Sequence, residues 1–114
     1  MPTILTLGPP QRRTKFSYTG DTREGVTLHF SDNSRISPEF FQAILEEFNG
    51  RTIPGGFCMT NPTPGGLGEW VQNNSPCLNV VHLSPRHASF IAAILVNEGL
   101  ITSSLHSNAV YLHF

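Results

Sequence analysis

Residues 37–50 read Ser-Pro-Glu-Phe-Phe-Gln-Ala-Ile-Leu-Glu-Glu-Phe-Asn-Gly, and this stretch decides the fold class. Ser37 offers a hydroxyl to the free amides of a helix start, and Pro38 suits the first helical position. Glu39 favours the positive end of the helix dipole. Phe40, Phe41, Ile44, Leu45 and Phe48 recur at helical spacing, while Gln42, Glu46 and Glu47 take the other face. Asn49-Gly50 is a left-handed stop. The spacing predicts an amphipathic helix over 38–49.

Strand patterns lie on either side of it. Residues 3–7 are short and apolar, and Gly8-Pro9-Pro10 breaks their pairing. Residues 14–19 and 26–31 alternate with period two, and the turn formers of 20–25 lie between them. We read 14–31 as a β-hairpin. Residues 77–83 (Cys-Leu-Asn-Val-Val-His-Leu) read as a buried strand. Ser84-Pro85-Arg86 repeats the helix-start signal, and a second helix is predicted over 85–97, almost continuously apolar from Phe90 to Val96. Residues 100–105 and 109–114 read as a closing hairpin.

Residues 52–68 fit neither a helix nor a long strand. Pro-Gly-Gly-Phe at 54–57 is echoed by Pro-Gly-Gly-Leu at 64–67, and Leu67 to Asn73 suggests a short helical turn carrying Trp70. The element order is strand, hairpin, helix, long loop, strand, helix, hairpin. Helices do not alternate regularly with strands, which argues against a doubly wound parallel sheet. The prediction is an α+β fold: a mainly antiparallel sheet with two helices packed on it and a long Gly/Pro-rich loop. One globular domain over 1–114 is expected, with residues 1–13 partly flexible.

Composition narrows the function classes. Charged residues make up 13% and hydrophobic residues 39%, which excludes a highly charged disordered chain. A net charge of −1 provides no electrostatic footprint for duplex binding. The C-terminal helix and hairpin resemble the wing region of a winged-helix domain. The preceding helix-turn-helix pair is missing, however, and the helix offers only Arg86 and His87 to a groove, so nucleic acid is not an expected partner. No run approaches the roughly 18 apolar residues of a membrane span. Cys58 and Cys77 follow no secretory leader, so a cytoplasmic protein with two free thiols is expected. The sequence suits a phage accessory factor as well as a housekeeping subunit.

Three functional readings follow. The first is a non-enzymatic binding or regulatory protein, with Phe57, Met59, Leu67 and Trp70 as apolar contacts in the 52–72 loop. A helix over 85–97 that is apolar on nearly every side also predicts a homo-oligomer, because a small monomer has little interior to surround it. The second reading uses the same loop for a small anion or nucleotide. Gly65, Gly66 and Gly68 would supply amides and Arg51 and Arg86 the counter-charge. The spacing matches neither a P-loop nor a dinucleotide fingerprint. The third reading is a cysteine-dependent enzyme using Cys58 and one of His29, His82, His87, His106 and His113. His82 and His87 lack zinc-ligand spacing, so neither a metal nor another cofactor is expected. Buried cysteine, core-pinning tryptophan and turn glycine are the commoner uses of these residue types.

Overall fold

Tyr18 opposite Leu28 and Gly20 opposite Val26 set the register of the first hairpin, and the alternation read at 14–31 holds in its paired strands, residues 30–31 lying outside the described residues. The computed structural model of the protein describes residues 3–8, 13–29, 34–57, 63–78, 83–106 and 109–114. Strand β2 (Lys15–Asp21) pairs antiparallel with β3 (Gly25–His29), burying Phe16, Tyr18, Val26 and Leu28. The Asp21 carboxylate accepts the amides of Arg23 (2.9 Å) and Glu24 (2.8 Å), which folds the turn. Strands β1 (Thr3–Leu5) and β4 (Arg35–Ile36) flank the hairpin, giving a four-stranded antiparallel sheet in the order β1-β2-β3-β4.

Helix α1 (Pro38–Glu47) starts as its sequence predicts, the amide of Phe40 donating to Ser37 Oγ at 3.2 Å. Phe40, Phe41 and Ile44 are buried, and Glu39, Gln42, Glu46 and Glu47 are exposed. After α1 comes β5 (Thr52–Pro54), then helices α2 (Leu67–Leu78) and α3 (Pro85–Asn97), then β6 (Thr102–His106) and β7 (Ala109–His113). The last two strands form the expected hairpin, and β5 joins them in a separate three-stranded antiparallel sheet of order β5-β7-β6.

The α+β class therefore holds, with three helices and two sheets among the described residues. One helix is longer than its local sequence predicts. The turn expected at 67–73 continues through Pro76 to Leu78, so Cys77 and Leu78 are helical rather than the start of a strand. Residues 79–82 of that predicted strand lie outside the described residues. Pro76 cannot donate to the carbonyl one turn back, which is why Asn-Asn-Ser-Pro reads as a stop. Tertiary contacts override it. The Ser75 hydroxyl is fully buried, donates to the Leu83 carbonyl (3.2 Å) and accepts the Leu83 amide (2.9 Å). The last turn of α2 is thereby bonded to the segment that leads into α3.

Helix α3 lies in the middle of the core. It buries eight side chains, including the unbroken run from Phe90 to Leu95. At roughly 1.5 kcal/mol or more for each large apolar side chain, exposing that run would unfold a small domain. The chain covers α3 unaided. Phe16 of β2 meets Phe90 edge-on at 4.8 Å, and α2 packs along the helix. A helix of this length spans roughly 20 Å, whereas the body measures 33 × 28 × 27 Å, which leaves room to surround it. The case for a second subunit built on an uncovered α3 therefore has no basis in its packing.

Candidate functional site

Two regions compete as the site: the glycine-rich approach to α2, and a groove beside α1.

In the first region, the side chains proposed for recognition turn inward. Leu67 is fully buried, and Phe57 and Trp70 pack partly buried against the core. Trp70 lies 5.4 Å from the Phe40 ring and 6.0 Å from the Phe48 ring, and Phe48 in turn touches Phe114 at 5.4 Å. Trp70 thus joins α2 to α1, and Phe48 carries the contact on to the C-terminus. Met59 and Cys58 lie outside the described residues, as does His82.

The glycine amides proposed for an anion are already bonded. Gly65 donates to the Glu69 carboxylate at 3.2 Å, Gly66 to the Thr63 carbonyl at 3.0 Å and Gly68 to the Gly55 carbonyl at 2.9 Å. A carboxylate of the chain itself therefore occupies the position an anion would need. The Gly68 backbone passes so close to Gly56 that a Cβ there would be driven into the Gly56 carbonyl oxygen and would also press on Pro85. Here glycine serves close backbone approach rather than ligand access. Arg51 lies over the Phe48 ring at 5.3 Å and 3.8 Å from the Glu47 carboxylate, while Arg86 is exposed in the first turn of α3.

The histidines also take structural bonds. His87 Nδ1 accepts the Ser84 amide at 3.1 Å, so the ring proton sits on Nε2, which is 3.4 Å from Ser34 Oγ. On the outward face of the second sheet, His113 Nε2 is 2.8 Å from Ser104 Oγ, and its Nδ1 is 3.1 Å from Thr52 Oγ1. A hydroxyl–imidazole contact of this length is one component of nucleophilic catalysis. Here another hydroxyl, rather than a carboxylate, holds the second ring nitrogen, and the row lies on an open sheet face, so it reads as a cross-strand polar ladder. Among the described residues, no three His, Cys, Asp or Glu side chains converge as a metal would require.

The second region is the groove, about 810 Å³ in volume. Three separate parts of the chain form it: the β2–β3 turn at Thr22 and Arg23, the outer face of α1 from Pro38 to Glu46, and Glu98 with Leu100 beyond α3. Ala43, Leu45 and Leu100 contribute apolar surface, and Leu100 is 44% exposed. Three carboxylates (Glu39, Glu46 and Glu98) face one guanidinium (Arg23) along its walls. Glu98 is held in place. It accepts from the Thr22 amide (3.2 Å), the Thr22 hydroxyl (3.0 Å) and the Tyr18 hydroxyl (3.3 Å). Tyr18 is itself buried and accepts from Asn97 Nδ2 at 3.1 Å. Burial, foremost, together with the neighbouring Glu98 charge pushes the Tyr18 phenol above its ordinary 10.0, so the phenol is a neutral donor to Glu98 at physiological pH. In the sequence, Glu46 and Glu47 lie on a solvated helix face and Glu98 carries no signal, because no local pattern marks where distant segments meet.

Comparison with protein-family models, with curated proteins and with solved structures finds no match for this chain. Among the described residues, no helix is long and apolar enough to cross a membrane.

Proposed function

We propose that this protein is a non-enzymatic binding protein whose recognition surface is the groove beside α1, and that it takes an apolar segment bearing basic side chains. The observation that carries this reading is the pairing of apolar surface with three carboxylates in one concavity, Glu98 being fixed by three hydrogen bonds. A pre-positioned carboxylate loses little freedom on binding, which favours a cationic partner. The volume falls within the range of ligand sites, and the groove is open enough to admit a chain segment. The cytoplasm remains the proposed compartment, on the cysteine content of the sequence.

Amide chemical shifts during titration with a short amphipathic Leu/Lys peptide test this reading. Shifts are expected at Arg23, Gln42, Leu45, Glu46 and Leu100, with affinity falling as salt is raised. The double variant Glu39→Lys/Glu46→Lys should weaken binding by up to about thirtyfold, since each exposed charge pair contributes up to about 1 kcal/mol. Equal shifts with a Leu/Glu peptide, or shifts scattered over the whole surface, would remove the groove as the site.

A further inference from the structure

Among the described residues the two sheets have four edges, and three of them are blunted. Strand β1 has three residues, β4 has two, and β5 has three and ends at Pro54. Short strands, proline, charge and bulges are the usual protections of an edge. The fourth edge, β6, has five residues, Thr-Ser-Ser-Leu-His, with no proline and no Lys, Arg, Asp or Glu. Its register against β7 runs unbroken from Thr102↔His113 to His106↔Ala109, so it carries no bulge. All of its residues except Ser104 are exposed.

Backbone bonds on the other side of β7 show which peptide groups of β6 point outward. The Gly55 amide donates to the Val110 carbonyl and the Phe114 amide to the Arg51 carbonyl, each at 2.9 Å. The even-numbered peptide groups of β7 therefore face β5, and those of Ala109, Tyr111 and His113 face β6. Their partners are His106, Ser104 and Thr102. Ser103 and Leu105 accordingly turn their N–H and C=O groups to the free side, where among the described residues they have no partner.

We infer that β6 is the pairing edge of a homodimer, in which two copies add their β6 strands antiparallel about a two-fold axis at Ser104. Ser103 of each copy then opposes Leu105 of the other, and each of these two pairs exchanges two N–H···O bonds. Side chains fit the same register. Leu105 is 42% exposed and itself borders a concavity of about 250 Å³ beside the edge, together with Leu7, Arg13, Ser103 and Val110 among others. Leu105 of the second copy stands opposite Ser103, over that concavity. Projection and hollow belong to one surface, which is the requirement of a two-fold interface and the reason the occupant is a second copy rather than a foreign strand. Charge does not oppose it: β6 holds no Lys, Arg, Asp or Glu, the chain has a net charge of −1 with its histidines neutral, and the Arg13 side chain at the rim is tied to the Gly8 carbonyl at 3.0 Å.

Sedimentation equilibrium of the full chain should show a reversible monomer–dimer balance in the roughly micromolar-to-millimolar range typical of small interfaces. Ser103→Pro removes an amide that the β6–β7 ladder does not use, so this variant should keep its fold and remain monomeric. Leu105→Lys should do the same by placing like charges across the axis. In the unaltered protein, hydrogen exchange at Ser103 and Leu105 should slow as concentration rises, while the Ser104 amide, already bonded to β7, should stay protected throughout. A chain monomeric at every concentration, a folded Ser103→Pro that dimerises like the parent, or concentration-independent exchange at Ser103 and Leu105 would each overturn the inference.

Discussion

The glycine-rich approach to α2 and the groove beside α1 are built from opposite kinds of sequence. The first is conspicuous, with repeated Pro-Gly-Gly, a tryptophan and a run of small residues, and its Gly65, Gly66, Gly68 and Trp70 are bonded or packed internally. The second is made of ordinary helix-surface residues, a turn and the end of a helix, and it is open to solvent. The difference teaches that an unusual local composition can report a backbone constraint. A site can arise without any local signature, where segments far apart in sequence meet.

If that contrast is right, damage to the two regions should differ sharply. Gly68→Ala should destabilise most, by about 3 kcal/mol or more, because the added methyl meets the Gly56 carbonyl oxygen and backbone cannot swing aside. At roughly 4 °C per kcal/mol, this lowers the melting temperature by about 12 °C. Trp70→Ala should lose about 3 kcal/mol through its contacts with Phe40 and Phe48, at the lower end for a partly buried tryptophan. A Trp70→Ala protein with unchanged urea midpoint would break the comparison, since Trp70 would then be free to serve as a contact.

Ser75→Ala ranks next. It leaves the amide and carbonyl of Leu83 without their partner in a buried site, which should cost about 2 kcal/mol in urea unfolding. Loss of helix signal at 74–78 in secondary chemical shifts should accompany it.

Tyr18 links the core to the groove and sharpens the contrast through pH. Its phenol is raised in the folded protein, so the folded state holds its proton more tightly than the unfolded chain. The corresponding stabilisation is fully present below the ordinary value of 10.0 and is lost as pH rises through the higher folded value. Unfolding free energy should therefore fall on going above about pH 10. Tyr18→Phe should flatten that fall and cost about 1 kcal/mol at neutral pH for the lost bonds to Glu98 and Asn97. An identical alkaline slope in both proteins would assign the effect to another group.

The smallest effect on stability belongs to the groove. Leu100→Ala should change stability by less than about 0.5 kcal/mol, because the side chain is largely exposed. It should still weaken binding of the Leu/Lys peptide by about threefold. A large stability loss with no change in binding would reverse the roles assigned to the two regions.

Local sequence determined the elements with local causes. Ser37-Pro38 and the spacing of Phe40, Phe41 and Ile44 specify α1, Ser84-Pro85 opens α3, and period-two alternation marks both hairpins, because caps and periodicity act within a turn or a strand. Tertiary structure decided the rest. Only packing carried α2 past Pro76, through Ser75 and Leu83, and only packing enclosed α3 within one chain. Among the described residues two sheets stand where one was expected, and β4 and β5 are too short to carry a pattern of their own. Alternation tells which face of a strand is buried but not which strand it will pair with, and a groove shared by residues 22, 46 and 98 exists only after the chain has closed on itself.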